Sequence, residues 1–179
     1  MNFKNLLGND KIKQELLDVV RSGNVSHSYM FVGEEGLGKC LFALDFAKLI
    51  LCMSENKPEC NDCESCVKFL SQNHPDFIKV EPDGNSIKIA QMREMQENIY
   101  QKPIVSSKKV FIINNAEKMT QEAQNSLLKT LEEPPSYIVI ILIVSNENLL
   151  LNTIKSRLFW LVSINFKKSI ILLDKYGNI

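Results

Sequence analysis

The chain has 179 residues, 45% of them hydrophobic and 23% charged, with seven glycines and six prolines. That excludes a disordered chain and leaves room for one domain with a sizeable core and the start of a second. Its 21 basic residues balance 21 acidic ones, so no global field draws it to nucleic acid or an anionic surface, and DNA contact needs a local patch or a partner.

No apolar run approaches the roughly 20 residues of a membrane-spanning helix. The first eight residues lack the basic-then-apolar pattern of a signal peptide. The expectation is a soluble cytoplasmic protein with no membrane partner. Four of the five cysteines are clustered, which in a reducing compartment points to a metal site rather than to disulfides.

In chain order, residues 10–22 place Ile12, Leu16, Val19 and Val20 on one helical stripe, with Gly23 as the stop. Tyr29-Met30-Phe31-Val32 reads as a buried strand, followed by a helix carrying Leu41, Leu44, Phe46 and Leu49 that ends near Cys52. After the cysteines come a short helix at 67–72, a strand at 76–80 and a turn at Pro82-Asp83-Gly84-Asn85. An amphipathic helix at 90–100, a strand at 110–113, a capped helix at 120–131, a strand at 137–144 and a helix at 149–156 complete the pattern. Strands alternating with helices predict an α/β fold, a parallel sheet covered on both faces.

Gly33-Glu34-Glu35-Gly36-Leu37-Gly38-Lys39-Cys40 stands between a predicted strand and a predicted helix. In that context G-x-x-x-x-G-K is a phosphate loop: backbone N–H groups and the helix N-terminus face the phosphates, and the lysine reaches the outer ones. The last position departs from the motif. A hydroxyl there binds Mg²⁺, whereas the sulfur of Cys40 is a poor ligand for a hard cation. Phosphate binding is expected to outlast the change better than Mg²⁺–ATP binding.

P-loop ATPases also end a second strand in an Asp for Mg²⁺, usually followed by a Glu that orients water. Here Val110-Phe111-Ile112-Ile113 runs into Asn114-Asn115-Ala116-Glu117. Both acids are amides, so neither metal charge nor a base is supplied, and Glu117 reads as structural. Such losses remove several orders of magnitude of rate from an intact enzyme.

Cys52, Cys60, Cys63 and Cys66 have the spacing C-x₇-C-x₂-C-x₂-C, with loop-forming Pro58, Asn61, Asp62 and Ser65 between them. Four thiolates so placed form a closed, structural Zn²⁺ site. Cys52 completes the set, so His74 reads as a surface residue beside Pro75, and His27 as a packing residue before the first strand.

These features resemble the bacterial clamp-loader subunits of DNA polymerase III, within the AAA+ ATPases. The resemblance rests on His27-Ser28-Tyr29-Met30-Phe31-Val32-Gly33, on the cysteine insert, and on Ala123-Gln124-Asn125-Ser126-Leu127-Leu128-Lys129-Thr130-Leu131-Glu132-Glu133-Pro134-Pro135. It implies a three-layer P-loop domain over 1–166, a zinc insert at 52–66 and the start of a helical lid at 167–179. Two kinds of subunit share the pattern: the ATP-hydrolysing gamma/tau, and the stator-like delta-prime. Cys40, Asn114 and Asn115 favour delta-prime. Thr153-Ile154-Lys155-Ser156-Arg157-Leu158 is similar to the family's Ser-Arg-Cys motif, which makes Arg157 an arginine finger acting in trans, with Leu158 in the cysteine's place. Ser145 falls at the sensor position, where it is expected to matter little.

The insert is about one residue shorter between its first two ligands than the resemblance implies. Implied partners are gamma/tau and delta and, indirectly, the sliding clamp and primed DNA. The family's pentamer is built by a collar domain, which is expected to be absent from a chain that stops at Ile179, near a first lid helix at 169–176. Two other readings compete: an active ATPase with unconventional ligands, and a nucleic-acid adaptor using the zinc knuckle. The second is disfavoured by Glu55, Glu59, Asp62 and Glu64 against Lys57 and Lys68. Lys102, Lys108 and Lys109 read as a solvated basic face.

Overall fold

The computed structural model describes residues 8–158 except 56, 58 and 59, together with Phe3, Leu6 and the backbone of 160–163. The elements are α1 (Asp10–Ser22), β1 (Ser28–Val32), α2 (Lys39–Leu51), α3 (Glu64–Leu70), β2 (Phe77–Val80), α4 (Ile89–Ile99), β3 (Lys109–Ile113), α5 (Gln121–Glu132), β4 (Ile138–Val144), α6 (Asn152–Lys155) and β5 (Trp160–Ser163). Single 3₁₀ turns at Ala116–Lys118 and Glu147–Leu149 follow β3 and β4.

The five strands pair in the order β2-β3-β4-β1-β5, every pair parallel. Strand residues alternate between two separate cores, as period-two side chains must when both faces are covered. Tyr29, Phe31, Val110, Ile112, Val139 and Ile141 pack with α1 and α2. Met30, Phe111, Ile113, Ile140 and Leu142 pack with α4 and α5. The predicted α/β sandwich is therefore present, and all seven residues of β4 are buried between its layers.

Local signals account for most boundaries. Gly23 closes α1 at φ 74°, and the Thr120 side chain caps α5 by accepting from the Ala123 N–H at 3.3 Å. The helix expected at 149–156 is instead broken. Gln124 of α5 donates to the carbonyls of Met119 and Leu149 and accepts from the Leu151 N–H at 2.8 Å. That clamp takes the backbone groups a continuous helix would use, and it seats Leu150 in the core. The strand β5 carried no clear signal of its own. The expected lid helix at 169–176 and the boundary at 166 lie outside the described residues. No helix among the described residues is long and apolar enough to cross a membrane.

The parallel arrangement brings four strand ends to one edge, where ligands of such sheets collect. The glycine loop follows β1, Glu81 follows β2, Asn114 follows β3 and Ser145 follows β4. Helix α2 runs from that edge to the cysteine insert, with ten of its thirteen residues buried.

Candidate functional site: a phosphate loop and a cysteine cage on one helix

Gly36 and Gly38 sit at φ 82° and 75°, a left-handed backbone that glycine enters without strain. These two positions shape the loop. The Lys39 ammonium lies over it, donating to the carbonyls of Gly33 and Glu34 at 2.7 Å each and to the Ser145 hydroxyl at 3.1 Å. The Ser145 hydroxyl thus touches the loop lysine directly. Burial lowers the pKa of Lys39, opposed by the nearby carboxylates of Glu117 and Glu35. Glu117 is thus within electrostatic reach of Lys39, and one of its carboxylate oxygens is buried with no hydrogen-bond partner among the described residues.

At the corner where a P-loop ATPase holds its metal, the side chains form a different structure. Cys40 lies in the first turn of α2, its thiol pKa raised by burial, with Lys79 and Glu81 as its charged neighbours. Lys79 pairs with Glu81 at 2.9 Å, and the Asn114 amide donates to the same Glu81 oxygen at 3.1 Å. The Glu81 carboxylate is thus engaged by an ammonium and an amide. Asn115 adopts φ 51°, ψ 50°, a left-handed turn that asparagine tolerates better than most residues; it shapes the turn into the 3₁₀ helix. Nothing in the sequence motif pointed to Lys79 or Glu81.

The other end of α2 holds the cysteines. Cys52 follows the helix, Cys60 and Cys63 lie in the insert, and Cys63 caps α3, its sulfur accepting from the Cys66 N–H at 3.5 Å. The four Sγ atoms lie within 4.8 Å of one another, Cys52 and Cys63 at 4.0 Å. Tetrahedral bonds of about 2.3 Å put thiolates roughly 3.8 Å apart, so the cage fits a four-coordinate ion and can hold a metal. All five cysteines are free thiols. Burial pushes Cys52 up to about 11 and raises Cys66 as well. Burial also acts to raise Cys63, but the N–H groups of Cys66 and Met53 outweigh it and hold that thiol at about 6.

Two buried networks brace this cage. Lys48 of α2 donates to the Cys60 carbonyl at 3.2 Å and to the Asn61 side chain at 2.5 Å. His74 is buried, not on the surface as its neighbour Pro75 suggested. Its Nδ1 accepts from the Asp76 N–H at 3.0 Å, which leaves Nε2 to donate to the Ser65 hydroxyl at 2.9 Å. Asp76 in turn accepts from the N–H groups of Ile104, Val105 and Ser106 at 2.7–2.8 Å. Lys109 belongs to the interior too: it is buried and donates to the Asn98 carbonyl at 2.9 Å, which removes it from the expected basic face.

Arg157 follows α6 on a shallow groove of about 450 Å³ lined by His27, Leu131, Glu132, Ser156 and Leu158. Its Nε and one terminal nitrogen both contact Glu132, at 2.7 and 2.5 Å, and the other terminal nitrogen donates to the Thr153 carbonyl at 2.8 Å. Arg157 and the α2 sites are separate features of the surface: no residue of the loop or the cage lines this groove.

The family described as DNA polymerase III, delta subunit, matches residues 8–168. The DNA polymerase III subunit delta' of Bacillus subtilis is 40% identical over 147 residues, covering 82% of this chain and 45% of the relative. The gamma/tau subunit of Mycoplasma pneumoniae is 35% identical, covering 87% of this chain and 23% of its own length. A crystal structure of a gamma subunit-related protein from Thermotoga maritima superposes with TM-score 0.60 at 27% identity, covering 86% of this chain and 46% of that one. The chain spans less than half the length of each of these relatives. On the sheet order, the loop and these matches, the chain belongs to the family of DNA polymerase III clamp-loader subunits and has their AAA+ P-loop fold.

Proposed function

We propose that this chain is the P-loop domain of a delta-prime-like clamp-loader subunit, a stator that does not hydrolyse ATP itself. In this reading Arg157 serves as an arginine finger for a neighbouring gamma/tau-type ATPase, and the four cysteines hold a structural zinc ion. The observation that carries it is the metal corner. Cys40 brings sulfur, Asn114 brings an amide, and Glu81 is already engaged by Lys79. A Mg²⁺ ion there meets the Lys79 ammonium and a carboxylate that Lys79 already engages, and so lacks the ligands that make the γ-phosphate reactive. The partners are gamma/tau and delta, acting on the sliding clamp and primed DNA within the pentamer of the family.

Zinc suits the cage because four thiolates favour a soft, tetrahedral ion and leave no open position for chemistry. The closed site belongs to stability rather than to catalysis. ATP, where it binds the loop, is held by Lys39 and the N–H groups of the glycine turn, and it is held weakly.

One observation favours the second reading, an active gamma/tau-like ATPase. Glu117 lies within electrostatic reach of the loop lysine and keeps one oxygen without a hydrogen-bond partner among the described residues, which leaves it as an acid for orienting water in this second reading. A single set of assays separates the two. The chain is mixed with gamma/tau-type and delta subunits, clamp and primed DNA, and ATP turnover is followed with wild type and Arg157→Ala. The stator reading expects background turnover by the chain alone, stimulation of the partner by wild type, and at least a tenfold loss of that stimulation with Arg157→Ala, since such fingers contribute about 10³–10⁵ in rate. Mg²⁺-dependent turnover by the chain alone, abolished by Lys39→Ala, establishes the second reading instead.

A further inference from the structure

The arginine proposed as a finger is held in place before it meets any neighbour. Glu132 is the last residue of α5, and its carboxylate stands at the carbonyl end of that helix, where the helix dipole disfavours negative charge. The structure supplies a compensating partner: Arg157, which approaches from α6, twenty-five residues further along the chain. Nε–H and one N–H of a terminal nitrogen converge on Oε1 of Glu132, and the second terminal nitrogen donates to the Thr153 carbonyl. A guanidinium has five N–H groups, and among the described residues these contacts use three. The remaining two lie one on each terminal nitrogen. That pair forms a fork of the kind that binds phosphate oxygens in two parallel hydrogen bonds.

The arrangement is partly open to solvent: the side chains of Arg157 and Glu132 are 33% and 48% exposed. A phosphate arriving from outside can therefore reach the fork without unfolding anything. An arginine at a helix end with no such partner samples many rotamers, and docking would have to fix one of them. Here two anchors set the plane of the guanidinium and the direction of its free edge.

We propose that Glu132 is a positioning residue for trans hydrolysis: it holds Arg157 so that two terminal N–H groups face the phosphates of a nucleotide bound by the neighbouring subunit. This deepens the stator reading and rests on it. In this role Glu132 acts on the rate of the neighbour's reaction through the geometry of Arg157 rather than by binding the nucleotide itself. Glutamine at this position still accepts the same hydrogen bonds and preserves most of the orientation, whereas alanine removes it.

The test uses the reconstituted complex of this chain with its ATPase partner and primed DNA. Wild type is compared with Glu132→Ala, Glu132→Gln and Arg157→Ala for the partner's kcat and KM for ATP, for complex formation and for melting temperature. The expectation is a roughly tenfold fall in stimulated kcat for Glu132→Ala with KM changed less than twofold, a smaller fall for Glu132→Gln, and complex formation as for wild type. If Arg157→Ala is deleterious while Glu132→Ala stimulates like wild type, the positioning role is wrong and the finger stands. If Glu132→Ala stimulates more strongly than wild type, the pair is a brake on the finger and the proposal is overturned. If Glu132→Ala loses stimulation only in step with lost complex or lowered melting temperature, its role is structural and the proposal again fails. An Arg157→Ala variant that stimulates fully removes the stator reading itself, and the inference with it.

Discussion

The two ends of α2 present opposite cases. At its C-terminal end the cysteine cage is complete: four thiols converge, Lys48 ties the insert to the helix, and His74, Ser65 and Asp76 fill the space behind. At its N-terminal end the backbone of a phosphate loop is intact, with both left-handed glycines and the lysine in place, while the metal corner is rebuilt from Cys40, Lys79, Glu81 and Asn114. The difference shows that loop geometry and loop chemistry are separable. The turn into α2 is set by backbone conformation and by burial of the helix, so it survives exchange of the ligands. A closed tetrahedral site has no such independence, because each thiolate is one quarter of the coordination.

Removing one ligand at the complete end should have the largest effect. Cys63→Ser is expected to abolish stoichiometric metal binding and to lower the melting temperature by on the order of 10 °C, because the metal's binding energy is also folding energy. Metal content by mass spectrometry and a thermal melt on the same preparation check this. A variant that keeps one ion per chain and the parental melt would break the contrast between the two ends.

Rebuilding the incomplete end comes next. A chain carrying Cys40→Ser, Asn114→Asp, Asn115→Glu and Lys79→Ala restores oxygen ligands and removes the competing ammonium. It should hydrolyse ATP in the presence of Mg²⁺ at least about tenfold above the parent, since each lost electrostatic contact of this kind accounts for about 10²–10³ in rate. Turnover indistinguishable from the parent would mean that the loop's backbone has diverged along with its ligands.

The smallest effect is the pH dependence of stability contributed by the network behind the cage. Burial lowers the pKa of His74, and its neutral Nδ1 accepts the Asp76 N–H. The unfolded chain therefore binds a proton more readily than the folded one. This stability is fully present above the unfolded value near 6.5 and is lost as pH falls through the lowered folded value. Urea unfolding between pH 5 and 8 should show a decline on the acidic side that His74→Asn flattens. An equal slope in both proteins would place the pH sensitivity elsewhere.

Much of the architecture was legible because it follows from local pattern. The alternation of apolar strands with amphipathic helices, the Gly23 stop, the Thr120 cap and the glycine spacing act within a few residues of chain. The cysteine spacing was equally direct, since two C-x₂-C steps can turn toward one ion only in a few ways. Errors fell where a side chain from a distant element intervened. Gln124 broke an expected helix at Leu149 and Leu151, and His74 was drawn into the interior by Ser65 and the Asp76 backbone.

The amino-acid sequence alone thus determined the fold class, the loop, the cysteine cage and the three replacements at Cys40, Asn114 and Asn115. These depend on residue type and short-range spacing. Only the tertiary structure decided that Lys79 and Glu81 stand beside Cys40 and Asn114, that Ser145 contacts Lys39 with Glu117 within electrostatic reach, and that Glu132 pairs with Arg157. Lys79 and Glu81 reach Cys40 and Asn114 from the end of β2, and each of the other contacts likewise joins one element to another. A parallel sheet gathers the ends of strands far apart in sequence, and which side chains meet there is settled by register and packing rather than by any local pattern.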